Sequence, residues 1–330
     1  MKSKLPRWVL ILFVAVAVIA IATSFGTVHL TLGEIINTLT GKIRDYRSQI
    51  LVELRIPRVL GGFTVGAGLA VMGTALQSAL RNPLADPYIL GVSAGAAFGA
   101  ALAGALSQYG FLNRLFVRPM AFLFALLASI MAYAFARRGG RTPVTSLILS
   151  GVVVSFLFNA GTTIMVVYGW RNIIHVYAWL FGSLSGFTWN DLWIILPMTF
   201  LSTIALSLIG TKLNAVSLGE EEAIHVGVDP ERIKIFVFAI SSLLSAVMVS
   251  AAGVVGFVGL IVPHMARSIF GPDNKVLITA SAIIGGSFLV LSDAVARTLL
   301  KPSEIPLSAI TALIGVPVFI YIMRRKGERW

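Results

Sequence analysis

The sequence predicts an all-α polytopic membrane protein with about ten spanning helices. Three observations carry this. Hydrophobic residues make up 57% of the 330-residue chain and charged residues only 12%, whereas a soluble domain is roughly half apolar and a quarter charged. Mean hydropathy is +0.89. Apolar runs of about twenty residues recur, each long enough to cross a hydrocarbon core of roughly 30 Å. A barrel would show short alternating strands instead.

The runs lie near 8–27, 58–79, 88–106, 119–136, 143–168, 190–210, 235–254, 256–270, 276–299 and 305–323. The first follows Lys2, Lys4 and Arg7, as a signal peptide would. It lacks a small-residue cleavage site, so a retained helix is expected. The second and third are dense in glycine and alanine. Gly62 and Gly66, then Gly91, Gly95 and Gly99, recur at spacing four. Such faces let helices approach closely in lipid, which places these two spans inside the bundle. "RNPLADP" interrupts them. Pro83 and Pro87 lack amide donors, so a turn is expected there. "VPHMARSIFGPDN", after the eighth run, reads as a similar break. An echo links "GAGLAVMGTALQSALRNP" with "SAAGVVGFVGLIVPHMAR". The spans around the two should run in opposite directions, which points to an inverted internal repeat.

The net charge is +12. In a membrane protein this reflects lysine and arginine held on the cytoplasmic side rather than nucleic-acid binding. With both termini inside, the inner segments carry sixteen of these residues and the outer ones ten. The inner clusters are Lys2, Lys4 and Arg7; Arg137, Arg138 and Arg141; and Arg324, Arg325, Lys326 and Arg329. Both termini, and the stretch between the sixth and seventh spans, are therefore expected in the cytoplasm. There is no cysteine, hence no disulfide and no thiolate metal site.

That stretch, "VSLGEEEAIHVGVDPERIK" from Val216 to Lys234, holds five of the fourteen carboxylates. Ser217 and Glu220 fit a capping box at a helix start. Gly227 suits the left-handed position past a helix end. Asp229–Pro230 is a second start, a cap followed by proline. The prediction is a short helix of about nine residues, too short at ~1.5 Å per residue to span, then a turn and the seventh span. An ordinary solvated loop is the alternative.

Ionisable groups are scarce at span centres. Asp293 is spaced to pair with Arg297 one turn later, and His264 lies near a span end. Gln77 and Asn159 are expected to make interhelical hydrogen bonds. This scarcity argues against a proton-coupled secondary carrier. No G-x-x-x-x-G-K-[ST] loop is present, so the chain does not bind ATP by that route. Driven transport would draw its energy from a partner.

Several segments in order carry a resemblance: "LRIPRVLGGFTVGAGLAVMGTALQSALRNPLADPYILGVSAGA", "YAWLFGSLSG", "LGEEEAIHVGV", "GFVGLIVPHMAR", "SDAVAR" and "EIPLSAITALIGVPVFIYIMRR". From about Leu51 onward the chain resembles the permease subunit of iron-chelate and vitamin B12 type ABC importers, the FecCD-type family. The resemblance implies the type II importer permease fold, with residues 1–330 as a single transmembrane permease domain. It implies a homodimer in the cytoplasmic membrane, among lipid, with two ABC ATPase subunits below and a substrate-binding protein above. Coupling to the ATPase would fall to Leu218, Gly219, Glu220, Glu221, Glu222, Ala223, Gly227 and Val228. Arg55, Arg58 and Arg297 would pair with acidic residues of the binding protein; plain interfacial snorkelling is the other reading. Thr145 and Ser146, in "TPVTSLILSGV", would form a cytoplasmic gate; a simple helix start is the other reading. The chain would be a transport subunit and not an enzyme. It would bind no metal or cofactor itself, with ATP and Mg in the partner ATPase. The implied cargo is an iron chelate (siderophore or haem) or cobalamin, with an oxyanion such as molybdate as the alternative.

Overall fold

The computed structural model describes residues 5–25, 31–41, 45–109, 111–112, 114–168, 180–300 and 303–326. Lys2, Lys4, Arg329 and the first three residues of "YAWLFGSLSG" lie outside them. Among the described residues there is no strand, only an isolated bridge between Arg138 and Arg141. It closes a turn in which Gly139 and Gly140 both take positive φ.

The helices, in chain order, are α1 (Leu5–Ser24), a short α2 (Leu32–Leu39), α3 (Tyr46–Ala79), α4 (Val92–Gln108), α5 (Val117–Ala136), α6 (Val144–Tyr168), α7 (Trp189–Leu208), α8 (Gly210–Leu218), α9 (Glu220–His225), α10 (Pro230–Ala252), α11 (Val258–Phe270), α12 (Asn274–Ala296) and α13 (Leu307–Lys326). Among the described residues each predicted span falls largely on a helix. Seven are long and apolar enough to cross a membrane; α4, α11 and α13 are shorter apolar helices.

Two breaks fall elsewhere than predicted. "VPHMAR" is not a turn: α11 runs through it, with Pro263 inside, and stops at Gly271. Pro263 is the sixth residue of this helix and cannot donate to the Gly259 carbonyl, yet the helix continues past it to Phe270. His264 is 3% exposed, its ring 5.7 Å from that of Phe319. Gly91 is not helical; it takes φ 78 between a 3-10 turn, Pro87–Leu90, and α4. Asn159 is exposed. Gln77 donates to the Ala85 carbonyl in the following turn at 3.4 Å.

The chain forms two compact units: residues 1–71, 183–207 and 256–330, and residues 72–182 and 208–255. In the first, α1, α3 and α12 pack through Ala22, Val59 and Val290. A Cβ at Gly66 would fall on the Gly285 carbonyl oxygen, so these helices touch backbone to backbone. Within the second unit, Ala94 of α4, Ala128 and Ala132 of α5, and Val154 and Phe158 of α6 form a core. There a Cβ at Gly95 would fall on the Phe124 carbonyl oxygen. The glycine-rich spans are interior ones: 89% of the apolar window of α3 is buried.

Candidate coupling and docking sites

The polar stretch folds as two short helices. The chain leaves α7, turns at Ile209 and enters α8, which buries Leu213 and Val216. Gly219 is extended and breaks α8 from α9. The predicted capping box is absent. Ser217 lies inside α8 and donates to the Asn214 carbonyl at 2.7 Å, and α9 starts on Gly219 with no side-chain cap. The reason is that α8 continues one residue past Ser217, so its hydroxyl bonds back to its own helix. Three glutamates, 220 to 222, fill the first turn of α9, where the exposed amide ends favour negative charge.

The stop and restart follow expectation. Gly227 takes φ 78. Its amide donates to the Ile224 carbonyl, and the Val228 amide to Ala223, at 2.9 and 2.8 Å. This is the paired closure of a Schellman end. Asp229 then caps α10, accepting from the amides of Glu231 and Arg232, with Pro230 at the first position.

Ala223 faces inward at 0% exposure, while Leu218, Ile224 and Val226 are 73, 61 and 68% exposed. Glu220, Glu221 and Glu222 are exposed as well. The corner therefore exposes three large apolar side chains together with three carboxylates. Lys234 latches it. This α10 lysine is 8% exposed, and its Nζ lies 2.8 Å from Glu220 Oε1 and 3.5 Å from Glu231 Oε2. Glu220 thus ties α9 to a membrane-length helix, a role its position in sequence did not reveal. Nearby, Arg81 donates to the Leu218 carbonyl at 3.4 Å. A cavity of about 850 Å³ lies between Arg141–Val144 and the α9–α10 corner, with Glu221, Val228 and Lys234 in its wall. Thr145 and Ser146 form the first turn of α6 beside it; Thr145 is exposed and Ser146 half-buried.

The three arginines gather in the first unit. α3 opens on an Asp45 cap and passes through a π turn, Ile50–Arg55. Such turns free carbonyls from the ladder, and the Trp189 indole donates to Val52 O at 3.0 Å. Arg55, at the end of that turn, donates to the carbonyls of Thr23 and Ser24 at 3.2 and 3.3 Å. Arg58 holds two acids. Its Nη2 is 2.7 Å from Asp293 Oδ1 and its Nη1 2.7 Å from Glu304 Oε1. Arg297 donates to the Ala22 carbonyl and lies 3.6 Å from Asp293. The predicted Asp293–Arg297 pair is present but long; Asp293 chiefly serves Arg58. Arg55 and Arg297 are buried at 5 and 8% exposure rather than fringing the surface. The Arg58 hydrogen bond is the main reason that Glu304 sits below the usual carboxylate range. Glu304 was missed because 246 residues separate it from Arg58, and no local spacing signals such a pair. Among the described residues no group of acids and histidines could hold a metal ion.

The profile of the FecCD transport family matches residues 11–325. The cobalamin import system permease protein BtuC of Halobacterium salinarum is 44% identical over 283 residues, 86% of this chain and 75% of that protein. The molybdate import system permease protein MolB of Haemophilus influenzae is 35% identical over 294 residues, 87% of this chain and 85% of that protein. A solved metal-chelate type ABC transporter in an inward-facing conformation is similar with a TM-score of 0.86 and 30% identity, covering 97% of this chain and 99% of that one. With these sequence and structural matches on top of ten apolar helices and no nucleotide loop, the chain belongs to the FecCD transport family and is an ABC importer permease of that type.

Proposed function

We propose that this permease moves cobalamin, delivered by an extracytoplasmic binding protein, into the cytoplasm, driven by ATP hydrolysis in separate ATPase subunits. An iron chelate is the second reading. The 44% identity to the cobalamin permease, against 35% to the molybdate one, favours cobalamin over an oxyanion. The subunit works as a homodimer with both termini cytoplasmic. It breaks no substrate bond and binds neither metal nor nucleotide; ATP and Mg reside in the partner. Thr145 and Ser146 close the cytoplasmic end of the path.

One observation carries the coupling reading: an exposed acidic and apolar corner is latched by a buried lysine to a membrane-length helix. A partner that grips α9 can therefore pull α10, which supplies the differential response of two conformations that transport requires. Arg55, Arg58 and Arg297 serve docking of the extracytoplasmic binding protein.

Two results test this. The permease is reconstituted with its ATPase into liposomes that hold ATP and Mg, and each cargo in turn is supplied outside together with the binding protein. ATP-dependent uptake of cobalamin, with no uptake of ferric hydroxamate or molybdate, is expected; uptake of molybdate alone removes the cargo assignment. Lys234→Met is expected to leave the ATPase bound but to reduce uptake per ATP hydrolysed about tenfold or more, since the α9 latch is a charged pair around a buried group. Glu220→Ala with Glu221→Ala is expected to weaken ATPase copurification as well. Wild-type uptake in both variants would count against α9 as the coupling element.

A further inference from the structure

The docking reading needs guanidinium groups that a partner's carboxylates can reach. In this chain the three arginines already have acceptors of their own. Arg55 and Arg297 turn inward to carbonyls at the end of α1. Arg58 has one edge on Asp293 and the other on Glu304.

The two acids differ in kind. Asp293 is set within α12, with its side chain 5% exposed. Glu304 is 37% exposed and lies in the non-helical link just before α13, with the Ile305 amide on the Ala296 carbonyl at 3.0 Å. Its carboxylate accepts from Nη1 and Nη2 of Arg58 at 2.7 and 2.9 Å and is the more exposed of the two acids, while the Arg58 side chain is 14% exposed. A pair whose acid stands partly in water exchanges more readily than one with both partners covered. A buried one is costly to break.

We propose that Glu304 is an internal stand-in for a partner's carboxylate, and that docking is an exchange. An acidic side chain of the extracytoplasmic protein displaces Glu304 from Arg58, while Asp293 stays in place. The charge balance at Arg58 is the same before and after, so no buried guanidinium is stripped at any point. Glu304 goes to water, and the link 303–306 loosens. Until then Glu304 keeps Arg58 from pairing with unrelated anions, which makes the site selective by competition. This rests on the docking reading above.

The test uses the whole permease–ATPase complex in nanodiscs and the substrate-binding protein that copurifies with it. Glu304→Gln removes the competing charge and keeps the size. It is expected to tighten association about fivefold or more, since one partner of the pair it removes is partly exposed and the other nearly covered. Because the chain has no cysteine, a spin label at Ser303→Cys reports the link directly. Its mobility is expected to rise when the binding protein docks. Unchanged or weaker association in Glu304→Gln overturns the exchange, and so does an unchanged label signal on docking. Arg58→Gln separates the two levels. If it weakens association while Glu304→Gln has no effect, docking stands and the exchange falls; if Arg58→Gln leaves association intact, the docking reading itself falls.

Discussion

Asp293→Ala is expected to lower stability by about 3–5 kcal/mol, the scale for removing one partner of a buried ion pair. Asp293 receives Arg58 through Nε at 3.1 Å and Nη2 at 2.7 Å, with Arg297 3.6 Å away. Both arginines are almost fully covered, Arg58 at 14% and Arg297 at 7% side-chain exposure. Without Asp293 the interior of that end holds two positive groups whose shared counter-charge is gone. Glu304 cannot replace it, because Glu304 is already bound to Arg58. A melting curve of the detergent-purified protein checks this. Asp293→Asn should fall between wild type and Asp293→Ala, since it keeps the shape and an acceptor. Glu34→Gln, which removes the exposed Arg47 pair, should change little. Equal melting of the Asp293→Ala and Glu34→Gln variants would show that the buried cluster does not hold this end together.

Gly66→Val is expected to abolish the folded protein. Overpacking in a core costs about 1–3 kcal/mol where side chains can shift, and here they cannot. The new Cβ would land on the Gly285 carbonyl oxygen and 2.7 Å from Leu289 Cβ. The reverse contact is equally closed: a Cβ at Gly285 would meet Ala70 Cβ and the Gly66 carbonyl oxygen at 2.5 Å each. Relief requires parting two helix backbones, and in lipid close packing is what joins helices. Gly33→Ala is the control. It lies in α2 with nothing within 4 Å of the added carbon, so alanine should be neutral or favourable there. Monodisperse yield on size exclusion measures both. Gly66→Val at wild-type yield would mean that this contact is not the joint it looks like.

The contrast between these sites explains how much could be read in advance. The apolar helices were legible because a bilayer demands about twenty apolar residues in a row, a one-dimensional property; seven among the described residues meet that length and three fall short of it. Gly62, Gly66, Gly95 and Gly99 marked the interior helices because small residues at spacing four share one face. Gly227 and Asp229–Pro230 marked a helix end and the next start, since caps act over four residues. Ser217 misled for the same local reason. Nothing within four residues showed that α8 would run on to Leu218, so a sound capping pattern was spent inside a helix.

Chain order alone determined the long apolar helices, the family and the place of the polar corner between α7 and α10, because solvation and capping act through neighbours along the backbone. Tertiary packing alone decided which charges meet: Lys234 with Glu220, and Arg58 with Asp293 and Glu304. A buried charge is stable only beside its counter-charge, and which counter-charge lies within about 3 Å depends on how distant helices cross. The arginines could therefore be picked out as candidates from sequence, while the acids that occupy them became visible only once α3, α12 and the link before α13 were brought together.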